Sequence, residues 1–511
     1  AAQRAHRVTA EHLRRRDPAA AITHALAGGD PALAARVLGA HWPDLLVAGE
    51  VGTIERMRDR IPAPFDCDPD VLLALAAARA VDEPGDGPGG EDRSVAAVID
   101  LVRHLLVLRR PDDASWLRGA ALVDASDLPD TARAVGQYLV GRAELLRPGG
   151  EGAAAGRLEQ ASALARSRGW PALDIACRAE RSWALVRAGD LRGGALHAEA
   201  AVTDAREHGW CGSSTVAAAH LARGTVAYWR DRLDEAATAL TEAADAATGT
   251  RPDLLLQVAA VTALVRLAQG DADGLARAHA LLADFPPDLV DGDAARAVLR
   301  FVAAMEAEAR GDLTTALADL AVPEGSPRTA VLVWQAEAQR RSNDPEAAWG
   351  RIAEAEVQGG LPAHVRVALH ATEALLLADQ GLVPAAHTAL ERALDDAAPL
   401  GLVRPLRRRA ADLHDLLSAH LEWGGAHDEL VARLLVAEQR CPAPRASAWE
   451  LTEREREVLG CLRSSLTSEE IAASLFVSVN TVKTHMRAIY RKLGADGRRQ
   501  AVRTAVQRGL L

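Results

Sequence analysis

Donor side chains collect on one face of a helix-like run near the carboxyl end of the chain. Intervals of three, one, three and four residues place five of them on one side of a helix: Asn480, Lys483, Thr484, Arg487 and Arg491. The face carries no acid. Lys and Arg can donate to guanine acceptors in the major groove, and the Thr methyl group can contact a thymine methyl. The alternative interpretation is that these cations only face solvent and bind no nucleic acid.

Two kinds of nucleic-acid contact are predicted for this run. Contacts to base edges are assigned to the residues best placed to enter a groove: Lys483, Thr484 and Arg487. Contacts to phosphates, which set affinity and register, are assigned to the flanking residues: Thr481, His485, Arg491 and Lys492. Asn480 is an additional candidate for a DNA contact.

Three further helices are needed to position this face. The opposite side of the same run has a core stripe at positions 482, 486, 489 and 493, all apolar. Capping boxes at 452–455 and 467–470 predict the starts of two preceding helices. A fourth helix is predicted from Arg498 to Gln507, with an apolar side that could either pack internally or form a dimer contact. Together these signals indicate a helix-turn-helix.

Composition narrows the classes of function. Of 59 Lys and Arg residues in the 511-residue chain, only Lys483 and Lys492 are lysines, so no Gly-Lys-Ser/Thr phosphate loop and no catalytic lysine is available upstream. Residues 451–511 contain eleven Lys or Arg and six Asp or Glu, whereas the whole chain has a net charge of −11. The tail would attract nucleic acid and the body would repel it. Five scattered cysteines and no long apolar run indicate a cytoplasmic protein without a membrane span or metal-ligand cluster.

The body repeats a short turn at intervals of about forty residues. Gly-Asp or related pairs occur at 150–151, 189–190, 230–231, 270–271, 311–312, 343–344 and 381–382. Gly would end one helix, Asp would cap the next, and an Ala three to five residues later would let the helices approach: Ala195, Ala236, Ala276, Ala316 and Ala347. This period predicts stacked helical hairpins. Six tryptophans near the helix ends could pack between repeats or line a ligand-stacking groove: Trp170, Trp183, Trp210, Trp229, Trp334 and Trp349.

The predicted fold class is all-α, with a TPR-like helical-repeat superhelix followed by a small four-helix domain. The predicted divisions are helical repeats over 1–82, a flexible linker over 83–93, a sensor or interaction domain over 94–440, a second linker over 441–450 and the DNA-binding domain over 451–511. Pro442 and Pro444 support the second linker because neither can continue a helix.

The carboxyl-terminal pattern closely resembles the LuxR-type helix-turn-helix. The resemblance is carried by L-T-E-R-E-R-E-V-L at 451–459, E-I-A at 470–472, T-V-K-T-H at 481–485, Ile489 and K-L-G at 492–494. It implies that the third helix reads bacterial DNA, with Lys483 among the base-contacting positions, and that residues 497–511 contribute to a dimer contact.

The body resembles, more weakly, the MalT-like repeat region of large ATP-binding LuxR-type regulators, through A-A-I-T-H-A-L-A-G-G-D at 20–30 and H-W-P at 41–43. Complete members begin with an ATPase domain, so we interpret the chain as the carboxyl-terminal portion of such a regulator, or as a natural form that lacks the ATPase domain. No cofactor is expected in this chain, and ATP would enter only through an upstream domain. The resemblance also implies binding to double-stranded DNA as a homodimer, and activation through RNA polymerase.

The leading hypothesis is a sequence-specific transcriptional regulator, usually an activator, whose repeat region senses an effector or a protein partner. The alternative is a helical-repeat interaction scaffold with a secondary DNA-binding tail. Enzymatic activity is not expected, because the sequence contains no His-Glu-x-x-His or Gly-x-Ser-x-Gly motif.

Overall fold

The computed structural model describes two compact units, residues 1–436 and 437–511. It describes all residues except 1, 15, 49, 59, 61–70, 72–73, 76, 79–120, 122, 124–127, 129, 148, 248–250, 284, 286–292, 322–328, 424–425, 441–452, 465, 476–481, 484, 487–488, 491–494, 496 and 508–511. Every regular element among the described residues is helical, which confirms the all-α prediction. Both predicted linkers, 83–93 and 441–450, lie outside the described residues.

Four helices open the first unit: α1 (Ala2–Leu13), α2 (Pro18–Ala27), α3 (Pro31–Val47) and α4 (Val51–Arg58). Helices α2 and α3 each begin with an Asp-Pro pair. The carboxylates of Asp17 and Asp30 accept backbone N–H bonds from Ala20 (2.9 Å) and Leu33 (3.0 Å). A proline at the first helical position costs no backbone hydrogen bond, because an N–H group at that position would have no partner within the helix.

From Asp130 onward, the described residues include seven helical hairpins, one for each predicted turn. Their paired helices are α5 (Asp130–Leu145) and α6 (Glu151–Arg168), α7 (Pro171–Ala188) and α8 (Leu191–Glu207), α9 (Ala217–Trp229) and α10 (Leu233–Ala247), α11 (Pro252–Gln269) and α12 (Ala272–Ala283), α13 (Asp293–Ala309) and α14 (Leu313–Asp319), α15 (Thr329–Arg341) and α16 (Pro345–Gln358), and α17 (Ala363–Asp379) and α18 (Val383–Ala397). The two helices of each hairpin pack together, and first helices of neighbouring hairpins pack as well, such as α7 with α9 and α9 with α11. The stacked hairpins predicted from the spacing are therefore confirmed.

The turns follow the predicted capping chemistry in four hairpins. The carboxylates of Asp190, Asp271, Asp312 and Asp344 each accept the N–H three residues later, at 2.8–3.1 Å. Asp231 departs from the expectation. It occupies the left-handed position itself, with φ of 61°, and α10 starts two residues later. Its carboxylate instead pairs with Arg404 at 2.9 Å and Arg407 at 2.6 Å, so the Asp serves a distant contact rather than a cap.

In six of the seven hairpins, the small residue that admits the close approach lies five positions after the left-handed residue of the turn, whereas the fourth hairpin has Leu275 at that position. Ala154, Ala236, Ala316, Ala348 and Ala386 occupy this position and are essentially fully buried. Gly194 occupies it in the second hairpin, where a Cβ would lie 2.5 Å from a Val186 methyl group. The predictions of Ala236 and Ala316 were therefore correct, while those of Ala195 and Ala347 were wrong by one residue. Ala276 is exposed, and that prediction was wrong.

The later hairpins fold back onto the middle of the array. Trp229 stacks on His364 with ring centroids 4.3 Å apart, and Arg230 donates to the carbonyl of Leu400 at 3.1 Å. Burial lowers the pKa of His364 to about 4, so the stacked imidazole is neutral at physiological pH. Four of the predicted packing tryptophans are buried, at residues 170, 183, 229 and 334, which confirms the packing interpretation for them.

Three further helices follow the last hairpin in the chain: α19 (Arg404–Arg407), α20 (Ala410–Trp423) and α21 (Asp428–Arg440). The second unit then contains α22 (Glu453–Leu462), α23 (Ser468–Ser474), a 482–490 segment whose described residues are helical, and α24 (Arg498–Gln507). In the 482–490 segment the described residues are 482, 483, 485, 486, 489 and 490. None of the described helices is long and apolar enough to cross a membrane.

Candidate nucleic-acid interface

The 482–490 segment has one buried and one exposed side. Val482 and Ile489 are completely buried, and Met486 is partly buried against the same core. Lys483, next to the buried valine, is exposed. The predicted core stripe is thus confirmed at three of its four positions, while Leu493 lies outside the described residues. The result is a lysine held at the surface by a helix anchored from behind.

The core that anchors this segment is built by the other three helices. Val458, Leu459 and Leu462 of α22 and Ile471 and Ala472 of α23 are buried together. Ala501 and Ala505 of α24 are also fully buried, which confirms internal packing for that side of α24. Val506 remains 56% exposed, so packing does not use the whole apolar side.

The start of α23 is fixed by a complete capping box. The Thr467 hydroxyl accepts the N–H of Glu470 at 3.3 Å, and the Glu470 carboxylate accepts the N–H of Thr467 at 2.8 Å. Together they satisfy two of the N–H groups that a helix leaves open. Ser468 also donates to the sulfur of Met486 at 3.9 Å, which joins the start of α23 to the 482–490 segment. The capping box predicted at 452–455 lies partly outside the described residues.

Arg498 fastens α24 to the turn between α22 and α23, a role that the sequence did not suggest. Its guanidinium donates to the carbonyls of Leu462 (3.1 Å), Leu466 (2.6 Å) and Ser464 (2.5 Å), with a longer contact to Cys461 (3.5 Å). These carbonyls lie where α22 ends, and the last carbonyls of a helix have no partner within it. An arginine counted only as a charge of the tail therefore works as a structural clamp.

The far end of the 482–490 segment is also closed. The carbonyl of Tyr490 accepts the N–H of Ala495 at 2.8 Å, a bond between residues five apart that is typical of helix ends. Burial raises the pKa of the Tyr490 phenol above its ordinary value, with a smaller opposing effect from Arg498. The phenol is therefore neutral at physiological pH and can donate a hydrogen bond.

Two of the predicted contact residues lie among the described residues. Lys483 is exposed and His485 is half-buried on the same helical segment. The remaining predicted contacts lie outside the described residues: Asn480, Thr481, Thr484, Arg487, Arg491 and Lys492. The structure thus shows a buried core behind Lys483, and the individual base and phosphate assignments stay predictions.

Comparison with known proteins agrees with this architecture. Residues 450–505 match the family described as bacterial regulatory proteins, luxR family. Over 96 residues the chain is 38% identical to the HTH-type transcriptional regulator MalT of Serratia proteamaculans (strain 568), a match that covers 19% of this chain and 10% of that protein.

Two shorter relatives match over 52 residues at 50% identity. They are the probable csgAB operon transcriptional regulatory protein of Salmonella typhimurium (strain LT2) and the CsgBAC operon transcriptional regulatory protein of Escherichia coli (strain K12), each covered over 24% of its length and over 10% of this chain. The chain therefore matches only a small part of each of these relatives. At its carboxyl end the chain carries a domain that belongs to the luxR family of bacterial regulatory proteins.

Proposed function

We propose that this chain is a sequence-specific DNA-binding transcriptional regulator that reads the major groove with the exposed side of its 482–490 segment. The observation that carries the proposal is Lys483, exposed between the buried Val482 and the partly buried Met486 in a luxR-family domain. A base-reading lysine must be held from behind, because specificity requires a fixed position relative to the base edges.

The finer parts of the proposal rest on family resemblance and on charge. We propose that Thr484 and Arg487 read bases beside Lys483, while Thr481, His485, Arg491 and Lys492 contact phosphates and Asn480 adds a further contact. The protein would bind DNA as a homodimer and activate transcription together with RNA polymerase. The acidic repeat region would bind the effector or protein partner, since repeat arrays offer extended binding surfaces. Such a regulator would work in the cytoplasm, without enzymatic activity in this chain.

The test is DNA binding by the full chain to a duplex selected from a random pool. Lys483→Ala should weaken binding by about 1–3 kcal/mol and relax the preference at one base pair. The matched control is Arg463→Ala, which removes one exposed cation of the same domain outside the predicted face. The control should keep the base preference of the parent.

Salt dependence separates the two kinds of contact. Replacing a phosphate-contacting residue should reduce the slope of log K against log salt by about 0.9 and weaken all sequences equally. Arg491→Ala is expected to behave in this way, whereas Lys483→Ala should also change the base preference. If Lys483→Ala selects the same sites as the parent with the same affinity, the proposed reading face is incorrect.

A further inference from the structure

Two helices near the end of the first unit bring imidazole and carboxylate groups together. His387 and Glu391 lie one turn apart on α18, and His420 reaches them from the neighbouring helix α20. One ligand atom from each of the three lies within 4.8 Å of the others. The trio is remote in sequence from the helix-turn-helix and plays no part in the proposed DNA contacts.

The distances between donor atoms suit a small metal ion. An oxygen of Glu391 lies 3.0 Å from Nδ1 of His420 and 3.4 Å from Nε2 of His387. With zinc–ligand bonds of about 2.0–2.1 Å in tetrahedral geometry, neighbouring donors stand about 3.3 Å apart. The side chains therefore need only small adjustments to share one ion.

His420 supplies an independent indication of a ligand. Its side chain is completely buried, and neither ring nitrogen makes a hydrogen bond of acceptable geometry. Burying polar nitrogens without such bonds costs free energy, so the arrangement calls for a compensating partner. Coordination of Nδ1 by a cation would supply it. On the other side of the ring, a carboxylate oxygen of Asp428 lies 3.6 Å from Nε2, close to the carboxylate–histidine arrangement that orients metal ligands.

Access and charge also favour a cation at this place. The side chains of His387 and Glu391 remain 19% and 30% exposed, so the trio is open to solvent on one side. A second group shares Glu391 and adds Asp395 and His427, whose Nε2 and carboxylate oxygen lie 2.7 Å apart. That close pair already satisfies the imidazole of His427, whereas His420 has no equivalent bond. The first trio is thus the better candidate.

We propose that His387, Glu391 and His420 bind one divalent transition-metal ion of the zinc class, with water completing the coordination. Two imidazoles and one carboxylate suit zinc and its neighbours better than magnesium or calcium, which prefer oxygen ligands alone. The ion would join α18 to α20 and so stabilise the carboxyl-terminal part of the first unit.

The test uses the full chain without a polyhistidine tag, treated with chelator and dialysed. Titration with Co²⁺ should give one saturable equivalent with visible d–d absorption, which Zn²⁺ then displaces. Zn²⁺ should also raise the midpoint of thermal unfolding, because an ion that binds only the folded state stabilises it. Glu391→Gln and His387→Gln should each weaken binding by at least about tenfold and remove most of the thermal shift.

The test uses substitutions of His387 and Glu391, which are partly exposed. His420→Gln is not used, because it alters a buried core residue and could destabilise the fold. The matched control is His414→Gln, an exposed histidine of the same helix α20, which should bind the ion like the parent. All variants are compared for helix content by circular dichroism. Absence of saturable binding, or unchanged binding in both Glu391→Gln and His387→Gln, would overturn the proposal. Loss of binding in His427→Gln but not in His387→Gln would also overturn it, by placing the ion in the neighbouring group.

Discussion

At the scale of single residues, Asp44 shows how a buried carboxylate joins distant parts of the first unit. It lies on α3, and its carboxylate accepts the N–H of Leu173 in the first turn of α7 at 2.9 Å. Nearby, the indole of Trp170 donates to the carbonyl of Ala40 at 2.5 Å. The start of a helix normally stabilises a charged carboxylate and so lowers its pKa. Here the effect of burial is larger, and it raises the pKa of Asp44 from 3.8 to about 6.

The raised pKa gives Asp44 a definite effect on stability. Between about pH 4 and pH 6 the folded state holds a proton that the unfolded state has released, so stability falls as pH rises through this window. Asp44→Asn removes the titration and leaves an oxygen that can accept the Leu173 N–H. At each pH, the free energy of unfolding of the parent is subtracted from that of the variant. This difference should increase by about 2–3 kcal/mol from pH 4 to pH 7, because only the parent loses stability over that range.

Urea midpoints of both proteins at each pH measure this difference, and comparison at the same pH cancels the contributions of all other groups. The difference should be constant above about pH 7, where Asp44 is ionised in both states. A difference that stays flat from pH 4 to pH 7 would show that the folded-state pKa of Asp44 is not raised.

Asp231 marks the limit of reasoning from a residue type and its position. The sequence pattern makes it an N-cap, because four of the other turns have Asp at the second place. The structure gives it the left-handed position that Gly holds in five other turns, with its carboxylate directed at Arg404 and Arg407. Its partners lie more than 170 residues away, and no local pattern contains that information.

At the scale of elements, the clamp made by Arg498 determines how firmly α24 holds the helix-turn-helix. Three short bonds and one longer bond join its guanidinium to the turn after α22. Arg498→Ala removes them all and should destabilise the second unit by about 2–3 kcal/mol, since hydrogen bonds to a charged group contribute more than neutral ones. Amide hydrogen exchange of residues 453–507 in the full chain measures this loss.

Two matched variants distinguish the effect of the Arg498 hydrogen bonds from the effect of its positive charge. Arg503→Ala removes one exposed cation from the same helix and should leave the exchange rates of α22 and α23 unchanged. Arg498→Lys keeps the charge but lacks the planar fork, and should recover only part of the protection. Equal exchange in Arg498→Ala and Arg503→Ala would contradict the clamp.

Local signals explain which elements the sequence could predict. Asp-Pro starts and capping boxes each act within about four residues, so the starts of α2, α3 and α23 follow from the sequence. The small-residue positions were less certain, because the exact residue depends on which turn residue is left-handed. The trio of His387, Glu391 and His420 could not be found in this way, since it depends on the packing of α18 against α20.

At the scale of the whole molecule, charge divides the chain into two parts with opposite tendencies toward DNA. Residues 451–511 contain eleven Lys or Arg and six Asp or Glu, although the net charge of the chain is −11. Under the proposed function, the second unit makes the phosphate contacts, and the acidic first unit acts only through its long-range field. Such a field is screened over about 8 Å at physiological salt and over about 30 Å at 10 mM salt.

This division predicts how a fragment of residues 437–511, a compact unit with a core of its own, compares with the full chain. Near 150 mM salt the two should bind a selected duplex with the same slope of log K against log salt, about −0.9 for each phosphate contact. Toward 10 mM salt the full chain should gain less affinity than the fragment, because the acidic unit then repels the DNA over a longer distance. Fluorescence anisotropy over this salt range measures both slopes. A steeper slope for the full chain near 150 mM salt would mean that the first unit itself binds phosphates, which contradicts the proposed division.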